Sequence, residues 1–528
     1  MKKNIGLFFR LYKEDLINKK IGLWTLVSIG VGGMIGSGIF AMPAAIAAVA
    51  GPALVLAVIF AGLIVVFQAL PYAELGSAFP LEGGPYAFPR LAMGDTTGFL
   101  IGWGYYVNAF VGTAAIINVF VNYLGFYIPG LSVHNNLTLI GTVIAIAIVW
   151  VFTLINVLGV KWGGLYSIIT TIGKIIPIII FVVIGFFYFN LDNFTPFMPY
   201  GFTGFALGIP LFFWAYTGFE TVVVPTGEVK NPSKTIPLAM MLTLLITILV
   251  YLLVVIVFTG MVNWEALNIS LNNWKAFDSI ASPLAAVPKS LGLTALAVIA
   301  TIGAILATGG AGGVWVLIQG RMPFAMAKDK LFWSAMSKVS PRFETPSNSL
   351  IFSSILTTIV IIAIPNFPSI ALIASITAVF SYGSAILSVL ILRKTKSDTK
   401  RYFRIPCIKV FCLVGFILST FLIYWASWPW TFVGTLLINA GYIIYLFIRK
   451  GNKSSLKRSL WVPVYLLSIS FISLIGDPIF TFNNILPIKP LGIIRSPYDL
   501  IALSVLAVLI FTWIYKINVK EELWKQKV

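Results

Sequence analysis

Acid is scarce in this chain. Only 17 of its 528 residues are Asp or Glu, against 36 Lys and Arg, and the single histidine, His134, falls in a short polar segment. One imidazole cannot build a metal cluster. With so few acids in the apolar runs there is no carboxylate dyad, no HExxH helix and no serine with a histidine base, which argues against an enzyme. The two cysteines, Cys407 and Cys412, stand near the start of one apolar run without metal-ligand spacing and read as packing residues. No metal or cofactor is expected. Charged residues are 10% of the chain and hydrophobic residues 59%, a balance that excludes a soluble domain. The expected class is an all-α polytopic membrane protein, with the lipid bilayer as its partner.

The net charge of +19 does not mark nucleic acid as a partner, because the basic residues lie in short segments between apolar runs. Runs of spanning length recur at 24–50, 53–79, 98–128, 138–158, 165–189, 204–225, 237–261, 292–318, 349–365, 369–392, 409–427, 430–448, 459–475 and 499–516. The ninth and thirteenth are the shortest, so 12 to 14 transmembrane helices are expected, numbered below as spans 1 to 14. With the N-terminus inside, 31 of the 36 basic residues fall on the inner side and four outside, and Lys174 lies within a span. That asymmetry follows the positive-inside rule and predicts cytoplasmic termini. Residues 1–22, with Glu14 and Asp15 among their lysines and no cleavage-type site, read as a cytoplasmic tail and not a signal peptide.

Span 1, WTLVSIGVGGMIGSGIFAMPAAIAAVA, carries no charge, yet its middle holds Gly30, Gly32, Gly33, Gly36, Ser37 and Gly38. Glycine weakens a helix, and backbone released at mid-membrane must line a protected cavity where a ligand or water completes it. Small-residue helix packing is the other reading of such a stretch. Span 6, GFALGIPLFFWAYTGFETVVV, has a second weak point at Ala215-Tyr216-Thr217-Gly218, followed by Glu220, a carboxylate expected to face a cavity or a partner.

The two interrupted spans lie five apart and run in opposite directions, the pointer to a transporter site at the interface of two inverted halves. A half-helix starting near Gly38 would aim free N–H groups and a positive dipole end at a carboxylate. One ending near Trp214 would offer carbonyls to an ammonium. Together they suit the zwitterionic end of an amino acid.

The sequence resembles a permease of the amino acid–polyamine–organocation superfamily. The matching stretches are IGSGIF at 35–40, PLEGGPYAFPRLAMGDTTGFLIGW at 80–103, FFWAYTGFETVVVPTGEVKNPSKTIP at 212–237, QGRMPFAMAKDKLFW at 319–333 and TPSNS at 345–349. The resemblance implies a 5+5 inverted-repeat core over 23–392, with repeats 23–189 and 204–392, broken helices 1 and 6, and accessory helices and a cytoplasmic tail in 393–528. It implies a secondary active amino acid transporter of the plasma membrane working by alternating access, with an exchanger, an amino acid/polyamine exchanger or a flux-free nutrient sensor as alternatives. Substrate main-chain groups would meet Ile35, Gly36, Ser37 and Gly38 and the carbonyls near Phe213, Trp214 and Thr217. Thr113 and Ile116 would touch the substrate side chain. Trp214 would close the site, and Glu220 would couple gating to protons.

Lys174, about 13 Å deep in span 5 at 1.5 Å per residue, matches a lysine that stands where sodium-coupled relatives hold their ion. It is read either as a proton carrier, with protons as the coupling ion, or as a fixed charge replacing sodium. Both readings predict sodium-independent transport. Glu220 has a second reading too, as a hydrogen-bonded group steadying the broken helix. Glu74, at the rim of span 2, reads as a solvated or loop-pairing residue.

Overall fold

The computed structural model describes residues 21–79, 84–133, 135–159, 163–448, 453–476 and 489–527. The tail 1–20, residues 80–83 of the first loop motif, His134, Lys161, Arg449 and Lys450 lie outside these residues.

Each apolar run coincides with a helix or a pair of half-helices. Span 1 is Leu23–Met34 followed by Ser37–Ala50, and span 2 is Leu54–Ala78. Spans 3, 4 and 5 are Asp95–Leu124, Leu139–Leu158 and Gly163–Phe186. Span 6 is Gly201–Phe213 with 3-10 turns at Trp214–Tyr216 and Phe219–Val223, and span 7 is Pro232–Gly260. Spans 8, 9 and 10 are Thr294–Lys328, Ser347–Ala363 and Phe367–Thr395. Spans 11 to 14 are Ile408–Trp425, Trp430–Ile448, Trp461–Ile475 and Tyr498–Lys527. Span 8 is 35 residues long, about 52 Å at 1.5 Å per residue, and so runs well beyond a hydrocarbon layer of roughly 30 Å. Its end replaces the first third of the loop expected at 319–348. The strands among the described residues are a two-residue hairpin, Ser132–Val133 with Asn136–Leu137.

Helix ends follow local chemistry. Thr138 opens span 4 by accepting the N–H of Gly141, and Asn366 opens span 10 by accepting that of Ser369. Pro232 and Pro368 occupy first-turn positions where a missing N–H does no harm.

Helix neighbours repeat under exchange of span n with span n+5. Span 1 packs on 7 as 6 packs on 2, and 3 packs on 10 as 8 packs on 5. Likewise 8 packs on 4 as 3 packs on 9, and 10 packs on 2 as 5 packs on 7. Spans 1, 2, 6 and 7 form one packed group, and spans 3, 4, 5, 8, 9 and 10 surround it. Spans 11, 12 and 14 lie against span 10, whose membrane-length window is buried throughout.

The side from which loops 319–348 and 393–409 emerge is called the basic face below. There the chain entering span 1 is laced to the loop after span 6 as a parallel bridge. Ile21 N–H donates to Glu228 O at 3.1 Å, and Lys230 N–H to Ile21 O at 2.9 Å.

Candidate substrate site between two broken helices

Span 1 loses its helix at Met34. Ile35 is extended, Gly36 takes a non-helical conformation, and the helix restarts at Ser37 without a side-chain cap. The first-turn N–H groups of Ser37–Ala50 therefore face the gap, at the positive end of the helix dipole. Span 6 stops at Phe213 and tightens into a 3-10 turn. It then turns extended at Thr217 and left-handed at Gly218 (φ 106°).

The two breaks touch. A Cβ on Gly38 would stand 2.5 Å from the Cα of Ala215, and one on Gly218 would stand 2.4 Å from the carbonyl oxygen of Gly33. Only a residue without a Cβ lets these backbones approach so closely. Side chains from neighbouring elements then tie the breaks together. The Tyr251 hydroxyl of span 7 lies 2.8 Å from both Met34 O and Ala215 O, and the Trp214 indole N–H donates to Ser37 Oγ at 3.3 Å. Thr217 donates its N–H and its hydroxyl to Trp214 O at 3.1 and 2.7 Å. That carbonyl, expected to await a ligand, is already occupied twice.

A small, closed-down cavity lies at this junction. Of the residues singled out in the sequence, Gly36, Ser37, Gly38, Trp214, Thr217 and Ile116 line it. Ile35 and Phe213 are buried beside the breaks but do not line the cavity, and Thr113 spends its hydroxyl on Ala109 O of its own helix (2.8 Å). Sequence reasoning missed Ala311 and Trp315 of span 8, which face span 6 across the cavity, with the Trp315 ring 5.8 Å from that of Trp214. The stretch GGAGGVW at 309–315 was the available signal, a second glycine-rich segment inside an apolar run. Among the described lining residues none carries an ionisable side chain.

The buried charges stand around the cavity. Lys174 is 5% exposed and donates its ammonium to Gly32 O, one of the carbonyls released where Leu23–Met34 ends. Glu220 is 2% exposed and accepts from the Tyr105 hydroxyl at 3.0 Å, the Tyr382 hydroxyl at 2.7 Å and Gly218 N–H at 3.0 Å. The carboxyl group thus braces the break in span 6 against spans 3 and 10 through Tyr105 and Tyr382.

Burial decides one alternative and corrects one expectation. Glu74 is fully buried, so of its two readings the solvated one falls and the loop-pairing one holds. Arg393 grips it with both ends of its guanidinium, at 2.7 and 2.6 Å, and Ile405 N–H adds 2.9 Å, because a carboxylate at this closed helix junction needs its partners inside the protein. Cys407 is exposed at the cap of span 11 and does not pack, whereas Cys412 is buried.

Two of the loop motifs meet on the basic face. Arg90 pairs with Asp95 at 2.8 Å and with Asp329 at 2.5 Å, and the Tyr86 hydroxyl donates to Asp329 at 2.8 Å. Burial works against the Arg90 charge, yet hydrogen bonds to Asp95 and Asp329 and the field of Tyr86 outweigh it and raise its pKa. Burial raises that of the Tyr86 phenol.

This site sits in a chain with named relatives. It is 29% identical over 518 residues to the aspartate-proton symporter of Bacillus subtilis (strain 168), covering 95% of this chain and 97% of that one. It is 29% identical over 459 residues to the methylthioribose transporter of the same organism, covering 83% and 95%. It is 28% identical over 455 residues to that organism's branched-chain amino acid permease BcaP, again covering 83% and 95%. Residues 21–448, from the start of span 1 to the end of span 12, match the amino acid permease family. The chain is a multi-pass membrane protein belonging to that family.

Proposed function

We propose that this chain is a secondary active transporter that moves neutral amino acids across the plasma membrane by alternating access, with both termini cytoplasmic. The observation that carries the proposal is the meeting of two broken helices at one cavity. One rim offers uncapped N–H groups and the other the end of a helix with its carbonyls, a fit for carboxylate and ammonium on one carbon. The lining supports a neutral side chain, since a charged one would enter without a counter-charge. Two of the three relatives reported above are named for amino acids, which supports that class, and one of these names a proton.

In this reading Gly36, Ser37 and Gly38 receive the carboxylate. Because Trp214 O is already taken and Phe213 stands behind the lining, the ammonium falls to the neighbouring carbonyl at Thr217. Ile116, Ala311 and Trp315 bound the side-chain end, and Trp214 closes over it. Ile35 and Thr113 hold the wall from behind. The repeats are 23–189 and 204–392, which the exchange of helix neighbours supports, with 393–528 as accessory spans and tail.

Lys174 supplies a cation on the end of the first half-helix, so no sodium is needed there, and its proton is the one proposed to move. The test is a thermal-shift screen of the purified protein with the standard amino acids, followed by uptake into proteoliposomes. A neutral amino acid should raise the melting point and enter under a proton gradient without sodium. A sodium requirement, or stabilisation by no amino acid, would overturn the reading.

A further inference from the structure

Buried polar ties cross at three depths between the group of spans 1, 2, 6 and 7 and the spans around it, besides the Lys174 ammonium of span 5 on Gly32 O. Near the breaks they are single bonds. Tyr123 of span 3 donates to Phe40 O at 2.7 Å, and Ser375 of span 10 to Pro210 O at 2.9 Å, both on the half of the molecule away from the basic face. Deeper, Glu220 joins Tyr105 and Tyr382. On the basic face the tie is of another kind. Glu74 of span 2 receives the fork of Arg393 from span 10 and the N–H of Ile405, and Arg401 Nε stands 3.8 Å away.

The arginines are themselves fastened. Arg393 also donates to Ile405 O at 3.0 Å. Arg401, its side chain 4% exposed, donates to Leu392 O, Lys396 O and Thr399 O at 2.8 to 3.1 Å. One carboxylate therefore ends span 10, folds the loop leading to span 11 and joins both to span 2.

We infer that the Glu74–Arg393 centre is the pivot of the transport cycle and not one of its gates. The inference rests on the alternating-access reading. A gate must open in each turnover. The neutral single bonds of Tyr123 and Ser375 can be exchanged for water at little loss. Parting Glu74 from Arg393 leaves a buried carboxylate and a guanidinium unpaired together with a loop N–H, a penalty of roughly 100-fold or more in population. Motion between the two groups of spans therefore leaves this contact closed and opens the far side. Glu74 and Arg393 are positioning residues, since they hold span 10, and with it Tyr382, against Glu220.

The test is a pair of distance measurements by pulsed electron resonance on protein in proteoliposomes, with Cys407→Ser and Cys412→Ser as background. One spin-label pair sits beside the centre, at Ala78 and Lys394, and the other across the opposite face, at Leu139 and Phe202. Adding a mixture of the standard L-amino acids should shift the Leu139–Phe202 distribution and leave the Ala78–Lys394 mean unchanged. A shift of both overturns the pivot and keeps the alternating-access reading. A shift of neither overturns that reading and the pivot with it. In the second arm, Glu74→Gln should lower maximal uptake tenfold or more at unchanged KM and broaden the Ala78–Lys394 distribution, with Glu74→Asp restoring much of both. Full uptake in Glu74→Gln would overturn the proposal. The label arm needs no change at the centre and stands even if Glu74→Gln fails to fold.

Discussion

Tyr251 holds its hydroxyl 2.8 Å from the carbonyl of Met34, the last helical residue before the break in span 1, and at the same distance from Ala215 O in span 6. One phenol thus serves both interruptions. Tyr251→Phe removes the single O–H that the two buried carbonyls share, an effect of about 1–3 kcal/mol. The expected result is a lower melting temperature together with weaker protection by bound amino acid, both read in a thermal-shift titration.

Gly38→Ala places a methyl 2.5 Å from Ala215 Cα, where backbone and not a flexible side chain must yield. Uptake should be lost while the variant still elutes as a monodisperse helical protein. Gly383→Ala on span 10, whose nearest neighbour is 3.6 Å away, serves as the control and should transport normally.

Trp315→Ala enlarges the side-chain end of the cavity opposite Trp214. Differences of one or more methylenes in an apolar pocket are worth about 1–3 kcal/mol, so selectivity should move roughly 10- to 200-fold towards bulkier neutral amino acids. Competition against labelled substrate uptake measures it. An unchanged ranking of competitors would remove Trp315 from the site.

Lys174→Met removes the cation on Gly32 O. Uptake driven by an inward proton gradient should fall at least tenfold, while counterflow between loaded vesicles persists. Retention of full gradient-driven uptake would leave the lysine a purely structural role.

Glu220→Gln can keep Oε1 as the acceptor for both Tyr105 and Tyr382, withdraws the acceptor of Gly218 N–H and replaces the carboxylate by a neutral amide. If the carboxylate only braces the break, uptake and its pH profile should both survive. If it carries a proton, the profile flattens while the protein remains folded. The pH profile of initial uptake rates decides between them.

Much of the fold was legible because a bilayer imposes length. Runs of twenty apolar residues can do little else than cross, and glycines at the middle of two of them mark where the crossing fails. Gly36, Ser37, Gly38 and Trp214 could be read for that reason. Tyr251 could not, because nothing local in span 7 says which face meets a break in another helix, and for Trp315 the GGAGGVW stretch of span 8 marks a second glycine-rich spot without saying which break it faces. The pairing of Glu74 with Arg393 lay further out of reach. The two residues are 319 positions apart, and a rim carboxylate looks the same in sequence whether water or a guanidinium receives it.

The bridge of Ile21 with Glu228 and Lys230 is made of main-chain atoms alone. Replacements other than proline leave its donors and acceptors in place, so such variation in these residues should be mechanically silent. The stub of the first broken rod and the segment trailing the second are yoked at their shared end. Neither can swing without dragging the other, and the floor beneath the bound molecule has to shift as a single plank.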